Sequence, residues 1–328
     1  MTTIDDERLT TLASALAPEA FGHILSASGL QQEDSVASNS HVELVKHAPG
    51  RRATLLYSFG GQTKAPKCII GKLYRGGRRP ARIHGWLSAL NSDVFPQTGR
   101  IRVPHPLGLS AELHMLLYAY IDGVDLRHAL DEDEALMLAA RWLAGLHDAR
   151  PLAGLKFRTI EHEAAKSLRS LETVRTHVSP GISSQLGGAR ERLSQVLAAP
   201  PVVELRTIHR DYYYANLLWD GERIWAIDMD ELRIGDPALD VAHFLTHLQV
   251  LAYRQTGDFA AYKAQGGQFR TSYFEALPTA EVDARLPIYG ASTFLKLAAT
   301  EVERQRDGWR EATEAFAARA CAELEKLR

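Results

Sequence analysis

The sequence predicts an α+β fold in which an antiparallel sheet comes first and a largely helical region follows. Strand-like apolar runs cluster before residue 121, the Asp122-Gly123 step marks a turn, and apolar residues recur with helical spacing after it. The chain has 328 residues, which is longer than one ordinary core requires. We therefore expect two lobes, residues 1–121 and residues 122–328, with a hinge at Asp122-Gly123.

The first lobe is predicted to contain an extra helical segment followed by a sheet. The helical segment covers residues 4–25, with an interruption at Pro18. Three strands in hairpin order are expected at residues 42–45, 53–57 and 68–74, since a turn signal at residues 48–51 separates the first two. A helix over residues 80–91 and two further strands, over 101–110 and 113–121, complete this lobe.

The second lobe is predicted to be mainly helical. In residues 134–148 the apolar side chains share one helical face, and two helices are expected in residues 160–198 around a break at Pro180-Gly181. A helix begins at Asp236-Pro237, where the aspartate suits the N-cap and the proline suits the first helical position. His147 lies on an otherwise apolar helical face, so we interpret it as a core or capping histidine.

Composition excludes several functional classes. The 38 basic and 40 acidic residues nearly cancel, which gives no electrostatic case for binding nucleic acid or a membrane surface. The longest clean apolar run, Met115 to Ile121, is too short to span a bilayer. The first residues lack the pattern of a signal peptide, so we expect a cytoplasmic protein.

The first chemical motif is His209-Arg210-Asp211, followed by Asn216. Phosphoryl transfer needs a carboxylate that orients and accepts the proton of an attacking hydroxyl, together with oxygen ligands for magnesium. Asp211 and Asn216 would supply these groups. A polar surface loop with an Asx turn is the alternative interpretation of this motif taken alone.

Two acidic segments follow it. Ile224 to Asp230 is an apolar strand that ends in Asp228 and Asp230, and acids at the end of a buried strand require a partner or a metal. The alternative is a strand followed by an acidic turn. In the next segment, Gly235 to Asp240, we expect Asp236 to cap a helix and Asp240 to hold the loop architecture.

In this order and spacing, the three motifs resemble the aminoglycoside phosphotransferase and choline kinase-like family. The resemblance covers residues 40–250 approximately and implies a bilobal protein-kinase-like fold. It also implies an ATP-dependent phosphotransferase that moves the γ-phosphoryl group to a hydroxyl of a small molecule of the aminoglycoside, amino alcohol or sugar class. Magnesium is the implied cofactor and ATP the co-substrate.

The resemblance also implies roles for individual residues. Asp211 would be the catalytic base, and Asn216 and Asp228 would bind magnesium. Lys72, in the middle of a predicted strand, would contact the nucleotide phosphates, although an exposed edge-strand lysine is the alternative.

Four further residues take binding or supporting roles by the same resemblance. The Ala119 carbonyl and the Ile121 amide would bind adenine, where a plain core strand is the alternative interpretation. His209 and Asp230 would support the catalytic groups.

Three features depart from the family pattern. No Gly-x-Gly-x-x-Gly precedes Lys72, so an arginine of the hairpin over residues 48–52 is expected to cover the phosphates. Residues 79–91 contain no acid to pair with Lys72, which leaves Asp93 and Glu112 as substitutes. Tyr212-Tyr213-Tyr214 follows Asp211 and predicts either an aromatic wall for the acceptor or packing.

Two other functions compete with the leading one. A catalytically inactive, nucleotide-binding regulatory protein of the same fold would lack the base or the metal ligands, whereas Asp211, Asn216 and Asp228 are present. A protein kinase needs an activation loop, for which the few residues between Asp230 and Asp236 leave no room. The aromatic run and the acidic excess in residues 201–328 favour an acceptor with a positive charge.

Overall fold

A computed structural model describes residues 6–29, 40–60 and 68–327 of the chain. These residues form two compact units. Unit 1 is Met1–Val124 together with Asp220–Asp230, and unit 2 is Asp125–Trp219 together with Glu231–Arg328. The boundary predicted after residue 121 differs from this division in two ways. The division falls after Val124, and a segment distant in sequence joins unit 1.

The first half of the chain contains short helices and the strands of the largest sheet. The elements are α1 (Leu12–Leu16), α2 (Ala20–Ala27), β1 (His41–Ala48), β2 (Arg52–Ser58), β3 (Cys68–Tyr74), α3 (Arg78–Ala89), a π-helical turn (Leu90–Val94), β4 (Ile101–Arg102), β5 (Pro106–Ser110), β6 (Met115–Ala119) and β7 (Val124–Asp125). The predicted interruption at Pro18 is confirmed between α1 and α2, and residues 4 and 5 lie outside the described residues.

The second half is mainly helical, as predicted. Its elements are a 3-10 turn (Leu126–His128), α4 (Asp133–Asp148), β8 (Phe157–Arg158), α5 (Ile160–Arg175), α6 (Pro180–Ala198), β9 (Arg206–Ile208), a 3-10 turn (Tyr214–Asn216), β10 (Leu217–Trp219), β11 (Ile224–Ala226), a 3-10 turn (Met229–Glu231), β12 (Arg233–Gly235), α7 (Ala238–Thr256), α8 (Lys263–Ala276), α9 (Ala280–Arg304) and α10 (Trp309–Glu325).

Unit 1 contains a five-stranded antiparallel sheet in the order β1-β2-β3-β6-β5. The three strands predicted in hairpin order are confirmed as β1, β2 and β3. In the register of the sheet, Lys72 pairs with Thr54 on one side and with Leu116 on the other. Residues 220–230 belong to this unit because β11 pairs in parallel with β4, which joins Ile224 to Ile101.

The N-terminal helices share an apolar core with one face of this sheet. Ile69 and Leu73 are fully buried in that core. Successive side chains of a strand point to opposite faces, so Lys72 lies on the other face of β3. The core is formed by Leu9, Leu12, Ile24, Leu55, Tyr57, Ile69, Leu73 and Leu117 among others.

Unit 2 combines helices with the three-stranded sheet β8-β12-β9. One of its cores joins α5, α6, α9 and α10 through Leu171, Leu186, Phe294 and Phe316. The predicted break at Pro180-Gly181 is displaced, because α6 begins at Pro180 and the break precedes it. Proline in the first turn costs no hydrogen bond, since that N–H has no intrahelical acceptor.

Among residues 6–29, 40–60 and 68–327, none of the helices is both long enough and apolar enough to cross a membrane.

Candidate active site

The loop between β9 and β10 carries the first motif and is stabilised by its own polar groups. The Asn216 side-chain N–H groups donate to the Asp211 carbonyl oxygen at 2.8 Å and to Asp211 Oδ2 at 3.1 Å. These bonds orient the Asp211 carboxylate and use the nitrogen of the amide. Asp211 and Asn216 therefore lie together in one loop, and their roles as base and magnesium ligand stay predictions.

Asp240 holds this loop from the first turn of α7. Its fully buried carboxylate accepts the backbone N–H of His209 at 2.6 Å and that of Arg210 at 2.7 Å. His147 Nε2 lies 3.2 Å from the same carboxylate. Arg210 has a φ of 68°, a left-handed conformation that a non-glycine residue adopts only when its surroundings stabilise it. Asp240 thus fixes the strained residue immediately before Asp211.

Aromatic packing fixes the loop from the other side. The Tyr212 ring is completely buried and stacks on Trp142 with ring centroids 5.4 Å apart. Its hydroxyl donates to the Ala139 carbonyl at 2.6 Å, which ties the loop to α4. His209 is also completely buried and packs edge-on against Trp142. For Tyr212, of the two predicted roles, packing is the one observed.

Asp211 faces His243, one turn further along α7 than Asp240. His243 Nε2 lies 3.6 Å from Asp211 Oδ1. Burial alone would raise the pKa of Asp211, but His243 and the charge of Lys296 hold it well below its usual range. Burial lowers the pKa of His243, so its imidazole is mostly neutral at pH 7. Asp211 therefore stays ionised at neutral pH.

Unit 1 contains a second cluster, in which Lys72 lies between two carboxylates. Lys72 Nζ donates to Asp228 Oδ1 at 2.7 Å and to Asp230 Oδ2. The Tyr74 hydroxyl also donates to Asp230 Oδ2, at 3.1 Å. Lys72 is only 5% exposed, so the alternative interpretation as an exposed edge-strand lysine is wrong.

Two arginines complete this cluster. Arg52 lies 3.4 Å from Asp228 and 3.3 Å from Asp230, and Arg79 Nε lies 3.2 Å from Asp230 Oδ1. The helix after the lysine strand therefore presents a cation to Asp230, and Asp230 itself is the acidic partner of Lys72. Asp93 and Glu112, the substitutes suggested by the sequence, are not among its hydrogen-bond partners in the described residues.

The two acids of this cluster differ in exposure. The Asp228 side chain is 14% exposed, and that of Asp230 is completely buried. Burial alone would raise the pKa of Asp228, but Lys72 and Arg52 hold it well below its usual range. Asp228 also has a φ of 65°, so the chain turns sharply at this acid. Asp228 thus remains an ionised carboxylate that is partly exposed, while Asp230 pairs with Lys72, Arg52 and Arg79.

The residue types of both clusters suit magnesium, a hard cation that prefers oxygen ligands. The Asn216 amide nitrogen is used by Asp211, which leaves its carbonyl oxygen as the group suited to a cation. Among the described residues there is no group of three or more His, Cys, Asp or Glu side chains suited to a metal.

The predicted adenine-binding groups lie at the end of β6. Ala119 is the last residue of β6, and its backbone N–H donates to the His105 carbonyl at 3.1 Å. Ile121 follows in irregular chain and is half-buried. The roles of the Ala119 carbonyl and the Ile121 amide stay predictions.

Comparison with known proteins identifies the family. The model of the "Phosphotransferase enzyme family" matches residues 62–278, which is more than half of the chain. The chain belongs to the phosphotransferase enzyme family. The predicted resemblance to aminoglycoside phosphotransferases and choline kinases is thereby confirmed. No protein with curated annotation is similar to this phosphotransferase in sequence at a significant level.

Solved structures are similar to this phosphotransferase in fold. A microcompartment-associated aminopropanol kinase has a TM-score of 0.65 at 18% identity, with 95% of this chain and 96% of that chain covered. A choline/ethanolamine kinase family protein from Mesorhizobium loti has a TM-score of 0.62 at 18% identity, with 94% and 98% covered. A thermostable mutant of an aminoglycoside phosphotransferase, in complex with AMP-PNP and hygromycin B, has a TM-score of 0.61 at 16% identity, with 94% and 99% covered. The predicted protein-kinase-like fold is confirmed.

Sequence reasoning missed Arg79 and His243 of the phosphotransferase clusters and did not single out Arg52. Arg79 carries no signal of its own, because the family pattern has an acid on this helix. The sequence does contain a signal for His243, since this residue lies three positions after Asp240 and therefore on the same helical face. Arg52 was anticipated only as one of two arginines in the hairpin.

We predict that Asp240→Ala destabilises the fold and lowers turnover. The variant leaves two buried backbone N–H groups without an acceptor, at about 1–3 kcal/mol each. Burial alone would raise the pKa of Asp240, but His147 and His209 lower it. The ionised Asp240 therefore contributes fully to the free energy of unfolding above its pKa in the unfolded chain, which is about 4. This contribution is lost as the pH falls through the lower pKa that Asp240 has in the folded protein. The stability difference in urea denaturation should shrink on acidification. Asp307→Ala, at an exposed site, is the control.

A difference in stability that stays constant down to the lowest accessible pH would contradict the role of the ionised carboxylate. Full turnover in a folded Asp240→Ala protein would contradict its role in positioning the loop.

Proposed function

We propose that this chain is an ATP-dependent phosphotransferase that moves the γ-phosphoryl group of ATP to a hydroxyl of a small molecule. The observation that carries the proposal is the Asp211 carboxylate, which Asn216 orients and His243 faces in a loop fixed by Asp240. Membership of the phosphotransferase family supports the reaction class.

In the proposed reaction, Asp211 orients the acceptor hydroxyl and receives its proton. The acceptor oxygen forms a bond to the γ-phosphorus, and the bond from that phosphorus to the β,γ-bridging oxygen breaks. ADP leaves with the electron pair of that bond. Because the pKa of Asp211 is depressed, the carboxylate accepts the proton only as the hydroxyl loses electron density to phosphorus.

The cluster of unit 1 is proposed to bind the nucleotide. Lys72 and Arg52 would contact phosphate oxygens, and Asn216 and Asp228 would hold magnesium. When bound, magnesium neutralises charge on the phosphates. Asp230 keeps the lysine and the arginines in place in the absence of a glutamate on α3. The backbone groups of Ala119 and Ile121 would bind adenine.

The acceptor is proposed to be a soluble molecule of the aminoglycoside, amino alcohol or sugar class. Aminopropanol, choline or ethanolamine, and aminoglycoside kinases share the fold, which supports a small acceptor. The alternatives, an inactive nucleotide-binding regulator or a protein kinase, are less well supported. The Asp211 carboxylate is present and oriented, and only a few residues separate Asp230 from α7.

We predict that Asp211→Asn lowers kcat by about 10²-fold or more, since the amide keeps the shape and cannot accept the proton. Nucleotide binding should be nearly unchanged in calorimetry. Asp307→Asn, at an exposed position of unit 2, should retain wild-type turnover. Full turnover of Asp211→Asn would refute its assignment as the base.

We predict that Asp228→Asn abolishes the magnesium dependence of ATP binding, because it removes the charged oxygen ligand. Asp230→Asn should retain that dependence but lower thermal stability, since three buried or half-buried cations lose their shared partner. Calorimetric titration of ATP with and without magnesium measures both effects. The opposite result for the two variants would make Asp230 the ligand.

We predict that Lys72→Met weakens binding of ATP far more than binding of adenosine, since only the phosphate contact is lost. Lys46→Met, at an exposed position of β1, is the control for loss of a lysine in the same sheet. Affinities are measured by calorimetry, with thermal unfolding to check the fold. Equal weakening of both ligands would indicate a structural role for Lys72.

A further inference from the structure

Unit 2 contains a concave pocket beside the proposed base. Its cavity volume is about 30 Å³, which admits one small group of a ligand rather than the whole ligand. Two of its walls are α5 and α9, joined across the pocket by a bond from Ser167 Oγ to Ser292 Oγ of 2.7 Å. The third wall is α7, which contributes His243, the residue that faces Asp211.

The two helical walls each present a lysine to the pocket. Lys166 lies on α5 on the face shared by Glu163 and Ser170, at helical spacings of three and four residues. Lys296 lies on α9 on the face shared by Ser292 and Thr293. Both lysines are half-buried. The mouth of the pocket therefore combines two ammonium groups with several hydroxyl groups.

Neither lysine is fixed in an ion pair within the described residues. No carboxylate of residues 6–29, 40–60 and 68–327 forms an ion pair with Lys166 or Lys296. Glu163 is the one acid of the pocket wall, and it accepts from Arg158 at 2.6 Å and lies 3.6 Å from Arg210. Since the acid is already paired with arginines, the pocket carries net positive charge.

The two lysines of the pocket interact electrostatically with each other, and one of them interacts with the proposed base. Burial and the nearby charge of Lys296 lower the pKa of Lys166, so the two ammonium groups repel each other. Lys296 also contributes to the depressed pKa of Asp211. An anion between the two lysines would relieve the repulsion, and it would lie next to the base.

We propose that the acceptor carries an anionic group, a carboxylate or a phosphate, which Lys166 and Lys296 bind while its hydroxyl meets Asp211. This inference rests on the proposed phosphotransferase function and restricts the acceptor to molecules of that class that carry an acid group, such as a sugar acid, a sugar phosphate or a hydroxy amino acid. Serine and threonine hydroxyls of the pocket supply further donors for the anionic oxygens. It replaces the positively charged acceptor that the sequence favours, since Tyr212 is buried in packing and the pocket next to the base is lined by cations.

Acceptor selectivity is the first test. Matched sets compare glycerol with glycerate and glycerol phosphate, ethanolamine with serine, and glucose with glucuronate and glucose phosphate. We expect acceptor-dependent ADP release from an anionic member of a set and not from its neutral or cationic counterpart. The carboxylate and phosphate members distinguish the two sources of charge. Turnover confined to neutral sugars, amino alcohols or aminoglycosides would overturn the anionic acceptor and leave the kinase function standing.

Substitution of the lysines is the second test. Lys166→Met and Lys296→Met should each raise the KM for an anionic acceptor about 10- to 100-fold, as expected for loss of a charge-assisted hydrogen bond. The KM for ATP should be unchanged. Lys296→Arg should recover part of the loss, and the exposed Lys263→Met is the control. Unchanged acceptor KM values, or a rise in the KM for ATP instead, would overturn the proposal.

A binding measurement separates this proposal from the proposed function. Inorganic phosphate and malonate are titrated calorimetrically into the wild-type chain and into the Lys166→Met/Lys296→Met double variant. We expect one of these anions to bind the wild type and to bind the double variant at least about tenfold more weakly. Equal binding, or none to the wild type, overturns the anion site. Lysine-dependent binding without ADP release from any acceptor would instead sink the phosphotransferase function.

Discussion

The carboxylate of Asp240 fixes the geometry on which the proposed chemistry depends. A buried carboxylate is stable only when its charge is compensated, and here two consecutive backbone N–H groups and His147 do so. The same two amides hold Arg210 in a left-handed conformation. The Asp240 carboxylate therefore determines the orientation of the next residue, Asp211. Because His243 lies one turn further along the same helix, α7 both positions the loop and supplies the neighbour of the base.

The cluster of unit 1 also contains a buried carboxylate whose charge must be compensated, but other groups compensate it. Asp230 is completely buried, and side-chain cations rather than backbone amides compensate its charge. Lys72 and Arg52 come from neighbouring strands and share a face of the sheet, while Arg79 comes from the following helix. A chain that pairs its strand lysine with Asp230 does not need an acid on α3. An arginine at that helix then strengthens the cluster, because it adds a cation to a carboxylate that already holds the lysine.

Local patterns in the sequence predicted much of this arrangement. The strand-like run of residues 68–74 placed Lys72 in the middle of β3, and the role of Asp240 in holding the loop followed from its position inside a helix next to a polar motif. Pairings between distant segments could not be predicted in this way. Residues 220–230 join unit 1 through a parallel strand pair with residues 101–102, and no local signal of either segment specifies its partner. For the same reason Arg79 was missed, since its role is visible only from the position of Asp230.

Counts of charge along a sequence cannot locate the charge that a ligand meets. Residues 201–328 are rich in acids, yet Asp236 is bound by Arg285 at 2.6 Å and Asp240 by backbone amides, so neither attracts a ligand. The charges that matter for recognition are those that the fold leaves uncompensated next to the reacting group. In the pocket beside the base these are Lys166 and Lys296, which come from helices distant in sequence. Under the proposed function, the few charges that the protein's own pairing leaves over would select the acceptor, and in this pocket those charges are positive.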